Sequence, residues 1–334
     1  MTSLTPSAAT APATAILGIG TYRPVRVVPN AELVDAINSS DEWIQQRSGI
    51  KERRFAGPDE TVQMMSVAAS RQALERAGLE AAQIDCVIVA TVSHMLQTPA
   101  IATAIAHELG TDKAPAFDIS AACAGFCHAV ALGSDMIRAG SAKHVLVIGV
   151  ERLTDITSLH DRGTAFIFAD GAGAAVIGPS EEVGIGPVVW GSDGEQFDYI
   201  RQDEDWRDVL VQDKPVMPHL IMEGAAVFRW ASFAMAKVAE ATLDRTGITV
   251  DDLDVFVPHQ ANMRIIDAMA RSMKLPAHVQ IARDIAEQGN TSAASIPLAL
   301  GRMIDEGTAK SGDTALLIAF GAGLAYAAQV VKVP

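Results

Sequence analysis

RQALERAGLEAAQIDCVIVATV, residues 71–92, is written a second time as AEATLDRTGITVDDLDVFVPHQ, residues 239–260. In each, an amphipathic helical stretch stops at a glycine, a polar link follows, and a short strand-like run ends in turn residues. The same interval separates Gly78 from Gly247 and Asp85 from Asp254. A second pair follows in the same order, ISAACAGFCHAVALGSDMIRAGSAK (119–143) and EQGNTSAASIPLALGRMIDEGTAK (287–310), at an interval two residues shorter. Each leads into an apolar strand, HVLVIGV (144–150) or TALLIAFG (314–321). Two matched blocks in one order imply a duplicated α/β chain: two mainly parallel sheets covered by helices and related by a pseudo-twofold axis. The boundaries that follow are a loose tail at 1–15, an N-terminal half at 16–183 and a C-terminal half at 184–334.

Composition narrows the function. With 334 residues, 49% hydrophobic and 20% charged, the chain can bury a large core. The tail is rich in Ala, Thr, Ser and Pro, without an apolar core segment or a basic residue. Neither a secretory signal nor an Arg-rich transit peptide is expected. No apolar run is long enough to span a bilayer. A net charge of −14 argues against general nucleic-acid binding. Three cysteines, Cys86, Cys123 and Cys127, are an odd number in a long chain, so a disulfide framework is not expected and a reducing cytoplasm fits.

The repeat also bears on chemistry. At the shorter interval Asn290 is the counterpart of Cys123, and at the longer one His259 is the counterpart of Ala90. Cys123 and Asn290 are therefore expected at equivalent helix starts. His259 is expected at the C-terminal end of a strand, where parallel α/β sheets place their ligands. Cys123, flanked by small residues in DISAACAGF, begins a helix, where free N–H groups and the helix dipole favour a thiolate. The competing reading is an inert buried cysteine. Cys127, one turn on, makes a poor metal pair with Cys123 and reads as packing. Asn290, before Thr and Ser, is also a good helix N-cap. Gly321-Ala322-Gly323 reads either as a simple turn or as a backbone donor to an oxyanion.

DISAACAGF, DRGTAFIFADGAGAA, VPHQANMRII, GNTSAAS, FGAG and SSDEWIQQRSGIKERRFA together resemble the β-ketoacyl-acyl-carrier-protein synthase III enzymes of the thiolase fold, over nearly the whole chain from about Ile16. The resemblance implies duplicated α/β halves in an α-β-α-β-α layering. It implies an initiating condensing enzyme, in which Cys123 takes an acyl group from acyl-CoA and His259 and Asn290 hold malonyl-acyl carrier protein during decarboxylation. The Cys123 and Ala322 N–H groups would form the oxyanion hole. Trp43, Arg47, Arg162, Gly224 and Asn262 would contact CoA and its pantetheine arm. Asn290, where elongating ketosynthases carry a second His and thiolases a second Cys, favours the initiating type.

One position departs from the acetyl-selective members: Thr98 stands where they carry Phe, which predicts a larger acyl pocket and a primer beyond acetyl. Arg229, Arg264, Arg271 and Lys274 are expected to dock the acidic carrier protein, the last three along one helix face. No cofactor or metal is implied; a homodimer is. Competing readings are an acyltransferase on the same fold, a catalytically dead partner subunit, and a starter ketosynthase of a secondary-metabolite pathway.

Overall fold

The computed structural model describes residues 11–111 and 113–334. The first sheet contains β1 (Ala13–Tyr22), β2 (Cys86–Ala90), β3 (Ala116–Ile119), β4 (Val145–Arg152) and β5 (Asp170–Ser180). The second contains β6 (Val189–Gly191), β7 (Val255–Pro258), β8 (Gln280–Ile281), β9 (Thr314–Phe320) and β10 (Tyr326–Lys332). Their orders are β1-β5-β4-β2-β3 and β8-β7-β9-β10-β6. Reading the second list backwards gives the first, and the strand directions also match. In each sheet two neighbouring pairs are parallel and two antiparallel. The expectation of mainly parallel sheets is corrected here. β4 returns to β5, and β9 to β10, without a crossover helix, and such returns give antiparallel neighbours.

The duplicated stretch folds as it reads. Helix α1 (Asp41–Ser48) precedes α2 (Val62–Ala77), which starts where Thr61 accepts the Met64 N–H at 3.1 Å and ends at a left-handed Gly78. Helix α3 (Ile101–Leu109) and the central α4 (Gly125–Arg138) complete the first half. In the second half, α5 (Gly224–Thr246) ends at a left-handed Gly247. After each Gly comes a one-turn helix closed by a capping box, Glu80 with Gln83 and Thr249 with Asp252. Asp85 Oδ2 then accepts the His144 N–H at 2.9 Å, and Asp254 Oδ2 the Thr314 N–H at 2.8 Å. The repeated Asp thus pins the neighbouring strand in each half.

Helices α6 (Met263–Ser272) and α7 (Ser295–Asp305) follow. Helices α4 and α7 lie between the sheets, in a core that takes Ile88 and Val147 from one sheet and Val257 and Leu317 from the other. Helices α2 and α3 cover the outer face of the first sheet, and α5 and α6 that of the second. The layering is α-β-α-β-α, the thiolase-like arrangement. Among the described residues no helix is long and apolar enough to cross a membrane.

One boundary moves. β1 begins at Ala13, paired with Ser180, so residues 13–15 belong to a strand and not to a loose tail. Of the remainder of that tail, residues 1–10 lie outside the described residues. The equivalence of Cys123 with Asn290 also shifts. Helix α4 has 14 residues and α7 has 11, so aligning their C-terminal glycines misaligns their starts. At the starts, the one-turn helix Ala122–Ala124 matches Ser292–Ala294. The matched residues Ala122 and Ser292 both take positive φ, 45° and 47°. The structural counterpart of Cys123 is therefore Ala293, and Asn290 stands three residues earlier.

Gly149 on β4 is where this junction closes: a Cβ there would overlap the carbonyl oxygen of Ala293. We predict that Gly149→Ala costs about 1–3 kcal/mol through overpacking against backbone that cannot move aside. Denaturant unfolding checks this; an unchanged midpoint would show that the two halves are not in fixed contact there.

Candidate active site

One cavity of about 860 Å³ is lined by Cys123, His259, Asn290 and Ala322, together with Trp43, Arg47, Arg162, Gly224, Arg229, Asn262 and Arg264. The fold brings these in from both halves. Cys123 sits in the turn before α4, His259 directly after β7, and Asn290 before the turn that opens α7. Ala322 follows β9, and Gly321 beside it packs so closely that a Cβ would strike the Cys123 backbone nitrogen. Cys123 and Ala322 both stand in first helical turns, where backbone N–H groups lack an intrahelical acceptor.

Burial sets the electrostatics. It pushes the Cys123 thiol up to about 12; a hydrogen bond from Ser292 opposes this, and the charge of Glu151 adds to it. The helix start favours a thiolate, but the dipole contributes only about 0.3–1 kcal/mol, and desolvation outweighs it. Burial also lowers His259 to about 3, so its ring is neutral. Phe320 packs edge-on to that ring at 5.6 Å between centroids. The thiols of Cys127 and Cys86 are buried and raised too, and all three cysteines are free.

The hydrogen-bond network orients both donors. His259 Nδ1 lies 2.6 Å from Ser295 Oγ, which also accepts the Gln260 N–H at 3.4 Å. The serine proton needs an acceptor, and Nδ1 is its partner that can accept. This leaves the ring proton on Nε2 as a donor. Asn290 Oδ1 accepts the Ser292 N–H at 2.9 Å. Its Nδ2 therefore remains as the free donor of the amide. The N-cap reading of Asn290 is thus half right: its oxygen closes the local turn while its nitrogen serves the cavity.

The remaining predicted residues divide. Arg162 lies 4.8 Å and Arg47 5.6 Å from the Trp43 ring. An aromatic base admitted between Trp43 and Arg162 would displace the guanidinium. Asn262 caps α6 by accepting the Arg264 N–H at 2.9 Å and donates to Arg47 O at 2.9 Å, so its polar atoms are engaged. Arg264 packs over Phe228 at 4.9 Å. Arg271 is exposed on α6, but Lys274 lies beyond the helix end with φ 54°, which corrects its expected place on the helix face. Thr98 is exposed and does not line this cavity; Gln97 and Val92 from its loop do.

Sequence reasoning missed Glu151, Ser292 and Ser295. Glu151 was legible as the lone acid ending the apolar run HVLVIGV at a strand terminus. The two serines lie inside the motif GNTSAAS, but nothing in their spacing shows which atoms they meet. Among the described residues no three His, Cys, Asp or Glu side chains cluster as metal ligands.

The family models of 3-oxoacyl-[acyl-carrier-protein] synthase III match residues 117–194, and those of its C-terminal part residues 243–333. A β-ketoacyl-[acyl-carrier-protein] synthase III of Streptomyces coelicolor is 58% identical over 334 residues, covering 97% of each chain. The chain belongs to the 3-oxoacyl-[acyl-carrier-protein] synthase III family. Among solved structures, the priming β-ketosynthase of the R1128 polyketide pathway superposes with a TM-score of 0.95 at 48% identity, covering 97% of each chain. The synthase III of Aquifex aeolicus superposes at 0.89 with 36% identity, covering 96% of this chain and 99% of the other.

The ring of His259 gives a direct test. Its unfolded value is near 6.5 and its folded value near 3, so between those pH values the unfolded chain binds the extra proton. The associated stability is present above pH 6.5 and is lost as pH falls towards 3. NMR of the histidine rings should show His259 neutral at pH 5, with its proton on Nε2. A midpoint near 6 would overturn the assignment.

Proposed function

We propose that the chain begins acyl-chain synthesis by loading an acyl group from acyl-CoA onto Cys123 and condensing it with malonyl-acyl carrier protein, releasing CO2 and a 3-oxoacyl-acyl carrier protein. The observation that carries this is the single cavity shared by Cys123, His259, Asn290 and Ala322. Cys123 Sγ attacks the thioester carbonyl and the CoA thiol leaves. The resulting oxyanion is held by the Cys123 and Ala322 N–H groups. His259 Nε2 and Asn290 Nδ2 then donate to the malonyl thioester oxygen. As the carboxylate leaves as CO2, negative charge collects on that oxygen, and a neutral donor pair in a dry site favours it. The enolate carbon attacks the acyl-Cys123 carbonyl, and Cys123 departs as the new carbon–carbon bond forms. Loss of CO2 drives the step, so no cofactor or metal is needed.

Trp43, Arg47 and Arg162 at the cavity suit the adenine end of CoA, and Gly224 and Asn262 its pantetheine arm. Arg229 and Arg264 at the same cavity, with exposed Arg271 and Lys274, suit an acidic carrier protein despite the chain's net charge of −14. A cytoplasmic homodimer fits this reading. β3 lies at a sheet edge with Phe117 exposed, and Met95 and Leu96 are exposed nearby in sequence on the Thr98 loop. Thr98 would select the primer only in the cavity of a second copy. A starter role in a secondary-metabolite pathway, as in the R1128 relative, would use the same chemistry on another carrier protein.

Malonyl-dependent release of labelled CO2 by the purified protein tests the reaction. An acyltransferase would load Cys123 without releasing CO2, and a dead subunit would do neither. Asn290→Ala should keep most acyl loading, read as one acyl mass on the peptide holding Cys123, and lose condensation by roughly a hundredfold or more, as expected for a lost oxyanion donor. Equal loss of both steps in the folded variant would overturn the division of labour. For Thr98, wild type should use isobutyryl- or butyryl-CoA at least as well as acetyl-CoA in kcat/KM, and Thr98→Phe should reduce the longer primers selectively. Unchanged ratios would remove Thr98 from primer selection.

A further inference from the structure

Glu151, at the end of β4, is fully buried, and the reaction above does not use it. Its Oε2 accepts the Ser93 hydroxyl at 2.6 Å, the Val92 N–H at 3.1 Å and the Thr91 hydroxyl at 3.3 Å. Its Oε1 accepts the Ser292 hydroxyl at 3.1 Å. Burial pushes the carboxyl up to about 7, against the pull of all four bonds. One side chain thus ties the exit of β2 in the first half to the turn that opens α7 in the second.

Residues two apart on a strand share a face, and β4 turns two such residues towards that turn. Gly149 lies so close that a Cβ would strike Ala293 O, and Glu151 binds Ser292. The same place in the other half is filled differently. Ile88 pairs with Val147, and its repeat counterpart Val257 pairs with Leu317, so Glu151 corresponds to Gly321. A Cβ on Gly321 would strike the Cys123 backbone nitrogen and crowd Ala122. The turn that carries the nucleophile is therefore pinned by close backbone packing, and the turn beside Asn290 by a side-chain bond. Both need pinning, since Ala122 and Ser292 hold φ of 45° and 47°, and a non-glycine residue stays there only where its surroundings impose it.

Ser292 in turn acts on Asn290. Its N–H donates to Asn290 Oδ1 at 2.9 Å, which fixes the amide and leaves Nδ2 for substrate. The Asn290 backbone is held from elsewhere: its N–H donates to Ile167 O at 2.9 Å and its carbonyl accepts the Ala169 N–H at 2.9 Å. What Ser292 controls is the rotation of the side chain.

We propose that Glu151 is a positioning residue for decarboxylation: by holding Ser292 at its positive φ, it turns the Asn290 amide so that Nδ2 faces the malonyl thioester oxygen. The path consists of two bonds, Ser292 Oγ to Glu151 Oε1 and Ser292 N to Asn290 Oδ1. No proton moves along it, and Glu151 itself does not line the cavity. The tie depends on hydrogen-bonding reach and not on charge. A hydroxyl can donate or accept, so an amide at this position keeps the Val92 N–H on its oxygen and Ser292 Oγ on its nitrogen, whereas an apolar side chain of similar size keeps neither.

This positioning rests on the condensation proposed above. A wild type without malonyl-dependent CO2 release overturns both; with an active wild type, the variants decide the positioning alone. Enzyme already carrying an acyl group on Cys123 is mixed with malonyl-acyl carrier protein, and CO2 release is followed for wild type, Ser292→Ala, Glu151→Leu and Glu151→Gln. Starting from the acyl-enzyme removes any effect of the variants on the thiol. Ser292→Ala and Glu151→Leu should lower the maximal rate by about tenfold to a hundredfold, the cost of a misplaced donor. The half-saturating concentration of carrier protein should change little, because the donor acts most strongly once charge has collected on the oxygen. Glu151→Gln should restore the rate lost in Glu151→Leu. Added to Asn290→Ala, neither Ser292→Ala nor Glu151→Leu should slow the reaction further. An unchanged maximal rate in Ser292→Ala, a loss confined to half-saturation, a Glu151→Gln variant as slow as Ser292→Ala, or a further loss in the Asn290→Ala background would each overturn the positioning. Should Glu151→Leu not fold, Ser292→Ala and Glu151→Gln carry the same comparison.

Discussion

Everything at the active site depends on how closely two helix starts approach each other between the sheets. The turns Ala122–Ala124 and Ser292–Ala294 meet across the pseudo-twofold axis, each entered through a non-glycine residue at positive φ. Such a backbone costs on the order of 1–3 kcal/mol per residue and persists only where surrounding packing imposes it. Here the packing is made from absences. Gly149 lets Ala293 lie on the strand, and Gly321 lets the Cys123 backbone lie against the loop after β9. A single methyl at either place would part the halves that carry the nucleophile and its donors.

The close approach also removes water, and loss of water decides protonation states. Burial raises the thiol of Cys123 and the carboxyl of Glu151 and lowers His259. All three shifts favour the uncharged form. The groups that would meet substrate, the Cys123 thiol and the His259 ring, therefore rest uncharged until charge appears on substrate. That suits an enolate or a tetrahedral oxyanion better than a preformed ion pair, because fixed dipoles need no reorganisation when the charge develops. It also means that the nucleophile must shed a proton before it attacks. Desolvation weighs more on its protonation than the dipole of α4.

Ser292, Ser295 and Asn290 show how one short loop serves several tasks. Ser295 fixes the ring of His259, Asn290 closes its own turn and keeps a donor free, and Ser292 donates to the buried Glu151. These small polar residues carry little packing energy. Their value lies in atoms set within hydrogen-bond reach by strands and helices from both halves of the chain.

The duplication, the strand and helix order, and the residues that carry the family resemblance were all legible in the sequence, because each rests on local pattern. A Gly stop, a repeated Asp and a short apolar run mean the same thing wherever they occur. That Cys123, His259 and Asn290 share one cavity followed from the repeat and the motifs together. What sequence alone misjudged depends on contacts between distant segments. Two of four pairings in each sheet are antiparallel because of how the chain returns. Asn290 is not the counterpart of Cys123, because α4 is longer than α7 and an alignment of their ends hides the difference. Lys274 leaves its helix face at a left-handed cap, and Thr98 turns away from the cavity of its own chain. Above all, the protonation of Cys123, His259 and Glu151 was decided only by tertiary structure, since desolvation is a property of everything packed around a group and no residue carries it in its own identity.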